Sequence, residues 1–397
     1  MSFFISKRCG IIMYMVVPFF CIYIQYATIS PYLPIVVRGL GYSPATVGML
    51  LGVFEGAGIA GPFIFGYFAD TWGRYKPGLI ITHGLVLISA IPLALFTNPL
   101  ISALFLIVMA MGFRSSMPLL EAVTTISIGN NGNYGKIRAA GSISFILMML
   151  FLQGVPVWRP DGSFNIAVWI SITTVLSMIA MGVIPATYTN ISGRGSGAGT
   201  RTQDIPESQR LWTPLLILGI TMISLNRLAM ASINSFFSLF LVESMHWNAV
   251  GFMWALATTA EVPFMFLSKA LIGRFGALRI LAVSTAAVTL RLSIYALFPL
   301  KAGVITGQVL HSLCFGLFHP AAIAFISSCV PPERRAWGMS IYLAIGTGLP
   351  TFVGNILGGF IVEHLGYQAL FGVFAVFPVI AIGIYMFISL HRKRTAG

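Results

Sequence analysis

The chain has 397 residues, of which 57% are hydrophobic and only 8% charged, and its mean hydropathy is +0.90. Soluble domains carry roughly 25% charged residues, so this chain cannot coat a water-facing globule, and a cytosolic enzyme, a disordered protein and a secreted disulfide scaffold are all excluded. What remains is an all-α polytopic membrane protein, because a helix satisfies its own backbone in lipid. The net charge of +13 would suggest nucleic acid in a soluble protein, but here the position of the charges matters more than their sum.

A bilayer core of about 30 Å needs roughly 20 apolar residues as helix. In chain order such runs occur at 10–37, 46–69, 77–97, 99–123, 136–157 and 165–187, and again at 213–241, 247–270, 276–298, 302–327, 337–362 and 366–390. These are spans 1 to 12. They are too long and too uniformly apolar for β-barrel strands. Span 1 follows Lys7 and Arg8. It is too long for a signal peptide, no small-residue cleavage site follows it, and it is expected to be retained. Cys9, Cys21, Cys314 and Cys329 sit in apolar runs with no metal or disulfide spacing, and read as small apolar residues.

Between spans 6 and 7 the sequence turns to TNISGRGSGAGTRTQDIPESQR, a Gly/Ser/Thr-rich composition that gives a flexible linker. The expected organisation is a six-helix bundle over 1–187, a cytoplasmic linker over 188–212 and a second six-helix bundle over 213–397. The halves echo one another. Gly73-Arg74 is matched by Gly273-Arg274, and Arg138-Ala-Ala-Gly141 by Arg335-Ala-Trp-Gly338. Paired bundles of this kind place a substrate site near the midplane and work by rocking.

Orientation follows from Lys and Arg in the short connections. With the N-terminus inside, the inner side holds fifteen basic residues, and the outer side only Arg38, Arg159 and Lys301. Both termini are therefore expected in the cytoplasm. The bias also explains the net charge without nucleic acid.

Ionisable groups inside a span cost about 2.5–3.5 kcal/mol on insertion scales, so they should be paired, line water or carry function. Glu55, Arg114, Glu121, Arg138, Arg227, Glu261, Lys269, Arg291, His311 and His319 qualify. Glu261 lies fourteen residues into span 8, Arg291 fifteen into span 9 and His311 nine into span 10, so the three can meet. An acid beside an arginine stays charged until the arginine is taken away, which would couple proton binding to substrate or to conformational change. A purely structural ion pair is the competing reading of Glu261. Arg114 can pair with Glu55 or bind an anionic substrate, and internal pairing is favoured. Arg227 has no acidic partner in span 7. It reads as a contact for a substrate carboxylate or phosphate, or as an arginine bonded to backbone carbonyls. Lys269 is expected to snorkel. His311 and His319, eight apart, are poor metal ligands. A hydrogen-bonding or relay role suits His311, while His319 reads equally as packing.

The stretch Gly66-Tyr-Phe-Ala-Asp70-Thr-Trp-Gly73-Arg74-Tyr-Lys76 resembles the major facilitator superfamily motif between helices 2 and 3. Gly66, Asp70, Gly73 and Arg74 are then gating residues: the glycines allow a tight turn and close helix approach, and Asp70 caps a helix or pairs with a basic group. The equivalent place in the second half holds Ala270. Three further stretches are similar to the phenylpropionate-permease-like group, which is related to the lactose permease and to nucleoside–proton symporters. They are Asn133 to Phe145, Trp254 to Pro263 and Gln308 to His319. That resemblance implies substrate contacts at Glu121, Arg138, Phe145 (as a stacking ring), Glu261 and His311, beside the Arg227 contact read above from its lack of an acidic partner. It also implies proton coupling at Glu261, Arg291 and His311. The chain departs at Cys314, where the permease carries the glutamate thought to hold the proton, and span 10 offers neutral Gln308.

The resulting expectation is a proton-coupled symporter of a small organic solute (a sugar, nucleoside or aromatic acid) working by alternating access as a single chain in a bacterial inner membrane. An efflux antiporter on the same fold is the alternative, although span 5 lacks the Gly-x-x-x-Gly-Pro-x-x-Gly-Gly pattern of such exporters. A membrane enzyme is disfavoured. No Walker loop, HExxH, GxSxG or acidic metal cluster is present in the sequence, and no cofactor is expected. A membrane sensor is a further reading.

Overall fold

The computed structural model describes residues 2–128, 134–160, 162–190, 212–331 and 334–395. Most of the expected linker, 191–211, lies outside them, as does Asn133. Among the described residues the chain is helical throughout, and the one β contact is an isolated bridge between Arg74 and Asn190. In chain order the helices are α1 (Ser2–Ile29), α2 (Leu33–Gly39), α3 (Pro44–Trp72), α4 (Tyr75–Leu95), α5 (Pro99–Ile128), α6 (Tyr134–Gly154), α7 (Ser163–Val183), α8 (Ala186–Thr189), α9 (Pro214–Leu239), α10 (Val250–Phe275), α11 (Ala277–Leu297), α12 (Lys301–Val309), α13 (Phe318–Cys329), α14 (Arg335–Ile341) and α15 (Leu349–Thr395). Among the described residues three π-helical segments interrupt the α pattern, at Phe240–Ser244, Ser312–Leu317 and Tyr342–Gly348.

Eleven stretches among the described residues are long and apolar enough to cross a membrane. The last, Trp337–Ser389, contains two of the twelve expected spans. The chain turns at Gly366, whose φ of 82° is non-helical, between segments matching 337–362 and 366–390. Span 1 is also more divided than its sequence suggests, because α1 stops at Ile29 before Pro31 and α2 resumes at Leu33.

The chain forms two compact units: Met1–Tyr42 with Val53–Gln209, and Ser43–Gly52 with Arg210–Gly397. In the first unit, polar side chains join helices inside the apolar interior. The Gln25 amide donates to Thr174 Oγ1 at 3.0 Å, Thr28 and Thr173 hydroxyls bond at 2.8 Å, and His83 Nε2 meets Ser177 at 3.1 Å. Such bonds hold helices together where lipid offers no hydrophobic drive for association. Phe19, Ile22, Leu79, Leu120, Val123 and Ile137 pack beside them.

In the second unit Leu216, Ile223, Leu281, Phe318, Phe325 and Tyr342 build the main core cluster. The start of α3 packs here as well. Ala45 N–H donates to Glu363 at 2.7 Å, and a Cβ on Gly48 would stand 2.7 Å from Gly359 Cα, so the two backbones touch only because both residues are glycine. On the outside the pattern is that of a membrane protein. Ile81 and Ile88 on α4, and Ile172, Ile179 and Val183 on α7, are exposed, which lipid accepts and water does not.

Candidate functional site

The second unit carries a buried polar network built from three neighbouring spans. Arg291, fully buried on α11, donates from Nε to Tyr295 Oη at 3.0 Å, from one terminal nitrogen to His311 Nδ1 at 2.9 Å, and from the other to Gln308 Oε1 at 2.8 Å. Tyr295 follows Arg291 by one helical turn, and Gly307 makes room for its ring: a Cβ there would fall 2.6 Å from Tyr295 Cζ. His311 Nε2 lies 3.6 Å from a Glu261 carboxylate oxygen. A guanidinium can only donate, so His311 Nδ1 must accept and the proton of the neutral ring sits on Nε2, facing Glu261. The expected direct approach of Glu261 to Arg291 is thus replaced by a relay in which the imidazole stands between acid and base. The cause is local. Arg291 has already engaged Tyr295 and Gln308, and His311 comes from the helix end just before a π-segment.

That π-segment, Ser312–Leu317, widens the helix by a residue per turn, a distortion frequent at functional sites. Gly316 within it lies against Glu261, with room for a Cβ only 3.0 Å from Glu261 Cγ. The rings of His311, Phe315 and His319 stack along one face at 5.5 and 6.1 Å with interplanar angles of 5° and 3°. His319 ends the column at Tyr342, 2.9 Å from its hydroxyl. Cys314, where the resemblance leads one to expect an acid, is buried beside them.

Arg227 on α9 completes the cluster. It is 6% exposed, and its guanidinium lies over Phe315 at 5.4 Å and Phe318 at 4.6 Å. Its Nε has no hydrogen-bond partner, and among the described residues no carboxylate reaches it. A desolvated cation–π contact is worth about 2 kcal/mol, less than the charge gains from an anion. The cluster therefore holds two arginines against one carboxylate.

The first unit is balanced. Glu55 on α3 pairs with Arg114 on α5, the favoured reading of those two residues. Arg114 also lies 5.6 Å from the rings of both Phe54 and Phe113. Glu121 on α5 accepts from Tyr134 Oη at 3.0 Å and from Arg138 at 3.2 Å, both on α6. The Glu121 and Arg138 side chains are each 32% exposed, so this pair remains open to a solute. Gly141, one turn past Arg138, packs on the Tyr23 ring. Phe145 is half-buried two turns beyond Arg138 and engages no other ring among the described residues.

The gating motif is placed unevenly. Gly73 has φ 61°, a left-handed turn between α3 and α4 that needs glycine. Gly66 faces open space, so close helix approach does not account for it here. Asp70 accepts a hydrogen bond from the Tyr75 hydroxyl, and among the described residues from no helix N-terminus or basic group. Arg74 bridges through its backbone to Asn190. In the second half the turn glycine is Gly276, with φ 83°, while Gly273-Arg274 lie inside α10. The structural repeat thus pairs Gly73 with Gly276, three residues off the sequence pairing. Lys269 is exposed near the end of α10. Tyr134, Tyr295 and Phe315 were missed by sequence reasoning. Two of them carried a signal, since each tyrosine stands four residues from an intramembrane arginine.

Residues 12–373 match the profile of the MFS_1 like family. The chain is 24% identical over 374 residues to a probable 3-phenylpropionic acid transporter of Escherichia coli, covering 92% of this chain and 93% of that one. It is also 24% identical over 358 residues to a maltose permease of Geobacillus stearothermophilus, covering 90% and 81%. Among solved structures, the nucleoside transporter NupG superposes with a TM-score of 0.78 at 18% identity, over 95% of this chain and 98% of that one. A match of this extent, on a helical chain with membrane-crossing spans throughout, makes this protein a membrane transporter of the MFS_1 like family.

Proposed function

We propose that the protein carries a small organic anion, a carboxylate bearing an aromatic or other apolar body, together with a proton by alternating access between halves 1–187 and 213–397. The observation that carries this reading is Arg227, a buried guanidinium with an unbonded Nε and no carboxylate partner, walled by Phe315 and Phe318. A carboxylate satisfies the guanidinium and an apolar ring extends the aromatic wall. That one relative is named for 3-phenylpropionic acid, itself a ring with a carboxylate, agrees with it.

Glu261 is the proton carrier in this scheme. His311 presents its Nε2 hydrogen to the carboxylate while Arg291 holds Nδ1. Substrate bound at Arg227 changes the field at Glu261, and the acid takes a proton as the anion arrives. The cluster then carries the same net charge empty and loaded, one anion being balanced by one proton, so transport follows the pH gradient and not the membrane potential. The test uses proteoliposomes, an inside-alkaline gradient and radiolabelled aromatic carboxylates. Wild type should accumulate substrate, and a valinomycin potassium clamp should leave the rate unchanged. Glu261→Gln should lose accumulation but keep counterflow exchange, and Arg227→Gln should raise KM at least tenfold in both assays. Full accumulation by Glu261→Gln would remove that residue from the role.

The Glu121–Arg138–Tyr134 group favours a second reading. A half-exposed donor–acceptor pair suits the hydroxyls of a neutral sugar or nucleoside. Uptake of such a solute, unaffected by Arg227→Gln, selects it.

A further inference from the structure

Each unit has a pocket at the same place in its own helical pattern, apart from the clusters above. In the first unit a pocket of about 490 Å³ lies between the start of α4 and α8, lined by Arg74, Lys76, Pro77, Ile81 and Asn190 among others. In the second, one of about 530 Å³ lies between the start of α11 and the end of α15, lined by Phe275, Arg279, Phe325, Tyr385 and Ser389 among others. Lys76 stands three residues past the left-handed Gly73, and Arg279 three past the left-handed Gly276. Ala186 and Asn190 in the first pocket correspond to Tyr385 and Ser389 in the second, about 200 positions on. The recurrence of one arrangement in two units argues against accidental surface roughness.

We propose that both pockets are headgroup sites for an anionic glycerophospholipid. Three observations carry this. No acidic side chain lines either pocket, and among the described residues no carboxylate lies within ion-pair distance of Arg74, Lys76 or Arg279. A phosphate is welcome there, whereas the ammonium of a zwitterionic headgroup would face only cations. Lys76 is also held in place, its Nζ donating to the Ile184 carbonyl at 2.9 Å with two hydrogens left over. Finally, the wall of the first pocket is apolar and leads onto lipid-facing surface: Ile81 is 49% exposed and Ile88, two turns further along α4, is 61% exposed, giving an acyl chain a track beside the headgroup. The pockets sit at helix ends where Arg74, Lys76 and Arg279 belong to the basic connections assigned to the cytoplasmic side, so the lipid would come from that leaflet.

Native mass spectrometry of the full-length detergent-purified protein tests this, with equimolar phosphatidylglycerol and phosphatidylcholine of the same acyl chains. Up to two phosphatidylglycerol molecules should be retained, favoured about fivefold for each pocket cation. Arg74→Gln with Lys76→Gln should remove one and Arg279→Gln the other, and the triple variant should show no preference. Lys76→Arg and Arg279→Lys should keep the preference, which separates loss of charge from misfolding. Equal retention of the two lipids, a preference surviving in the triple variant, or its loss in the charge-conserving variants overturns the proposal. So does displacement of the lipid by millimolar glycerol 3-phosphate, which would make the ligand a soluble phosphate.

Discussion

At the scale of single residues, each guanidinium nitrogen of the buried Arg291 is hydrogen-bonded, while Nε2 of its partner Gln308 has no hydrogen-bond partner among the described residues. Arg291 has no exposure, so its guanidinium nitrogens must find acceptors in the protein, and Tyr295, Gln308 and His311 supply one for each. Removing one acceptor leaves a charged donor unsatisfied in a dry interior, which costs about 1–3 kcal/mol. Tyr295→Phe should therefore lower the thermal midpoint of the detergent-solubilised protein by several degrees with little change in packing volume. An unchanged midpoint would mean that water or another group replaces the hydroxyl. The sequence identified Arg291, His311 and Glu261 as a group because their depths agree. It could not order them, because which nitrogen bonds which oxygen is set by side-chain directions that spacing does not encode.

At the scale of elements, glycines with left-handed backbone conformations define the helix breaks. Gly366 has φ 82° and ψ 178°, a region that is essentially reserved for glycine, and it divides α15 into two spans. Gly366→Ala should destabilise the protein by about 1–3 kcal/mol. Gly372→Ala, six residues on, is a matched control: its added Cβ would meet Ala296 at an ordinary 3.8 Å in unstrained helix. Thermal melts of the two variants should differ, and equal melting would show that the break tolerates a side chain. The run of apolar residues makes each span legible in sequence, but the π-segments at 312–317 and 342–348 leave no such mark. They arise where tertiary contacts, such as Gly316 against Glu261, favour one wide turn over the regular pattern.

At the scale of the whole molecule, the asymmetry of basic residues is a statement about topology. Read from the sequence, fifteen Lys and Arg fall on one side of the spans and three on the other, a bias from which both termini are expected in the cytoplasm. In a background without native cysteines, Asn98→Cys and Lys301→Cys should react with a membrane-impermeant maleimide in intact cells. Asn190→Cys should react only after permeabilisation. The opposite pattern would invert the topology and move the two cationic pockets to the other leaflet.

The sequence by itself determined the membrane environment, the twelve spans and the list of charged groups that lipid makes expensive, because hydropathy and charge act residue by residue along the chain. It also exposed the lone Arg227, since no acid stands near it in span 7. Tertiary structure alone decided how those groups are joined. It set His311 between Glu261 and Arg291, and laid Phe315 and Phe318 under Arg227. These are contacts between helices far apart in sequence, and their energies depend on direction and distance in three dimensions, which a one-dimensional pattern of residue types does not carry.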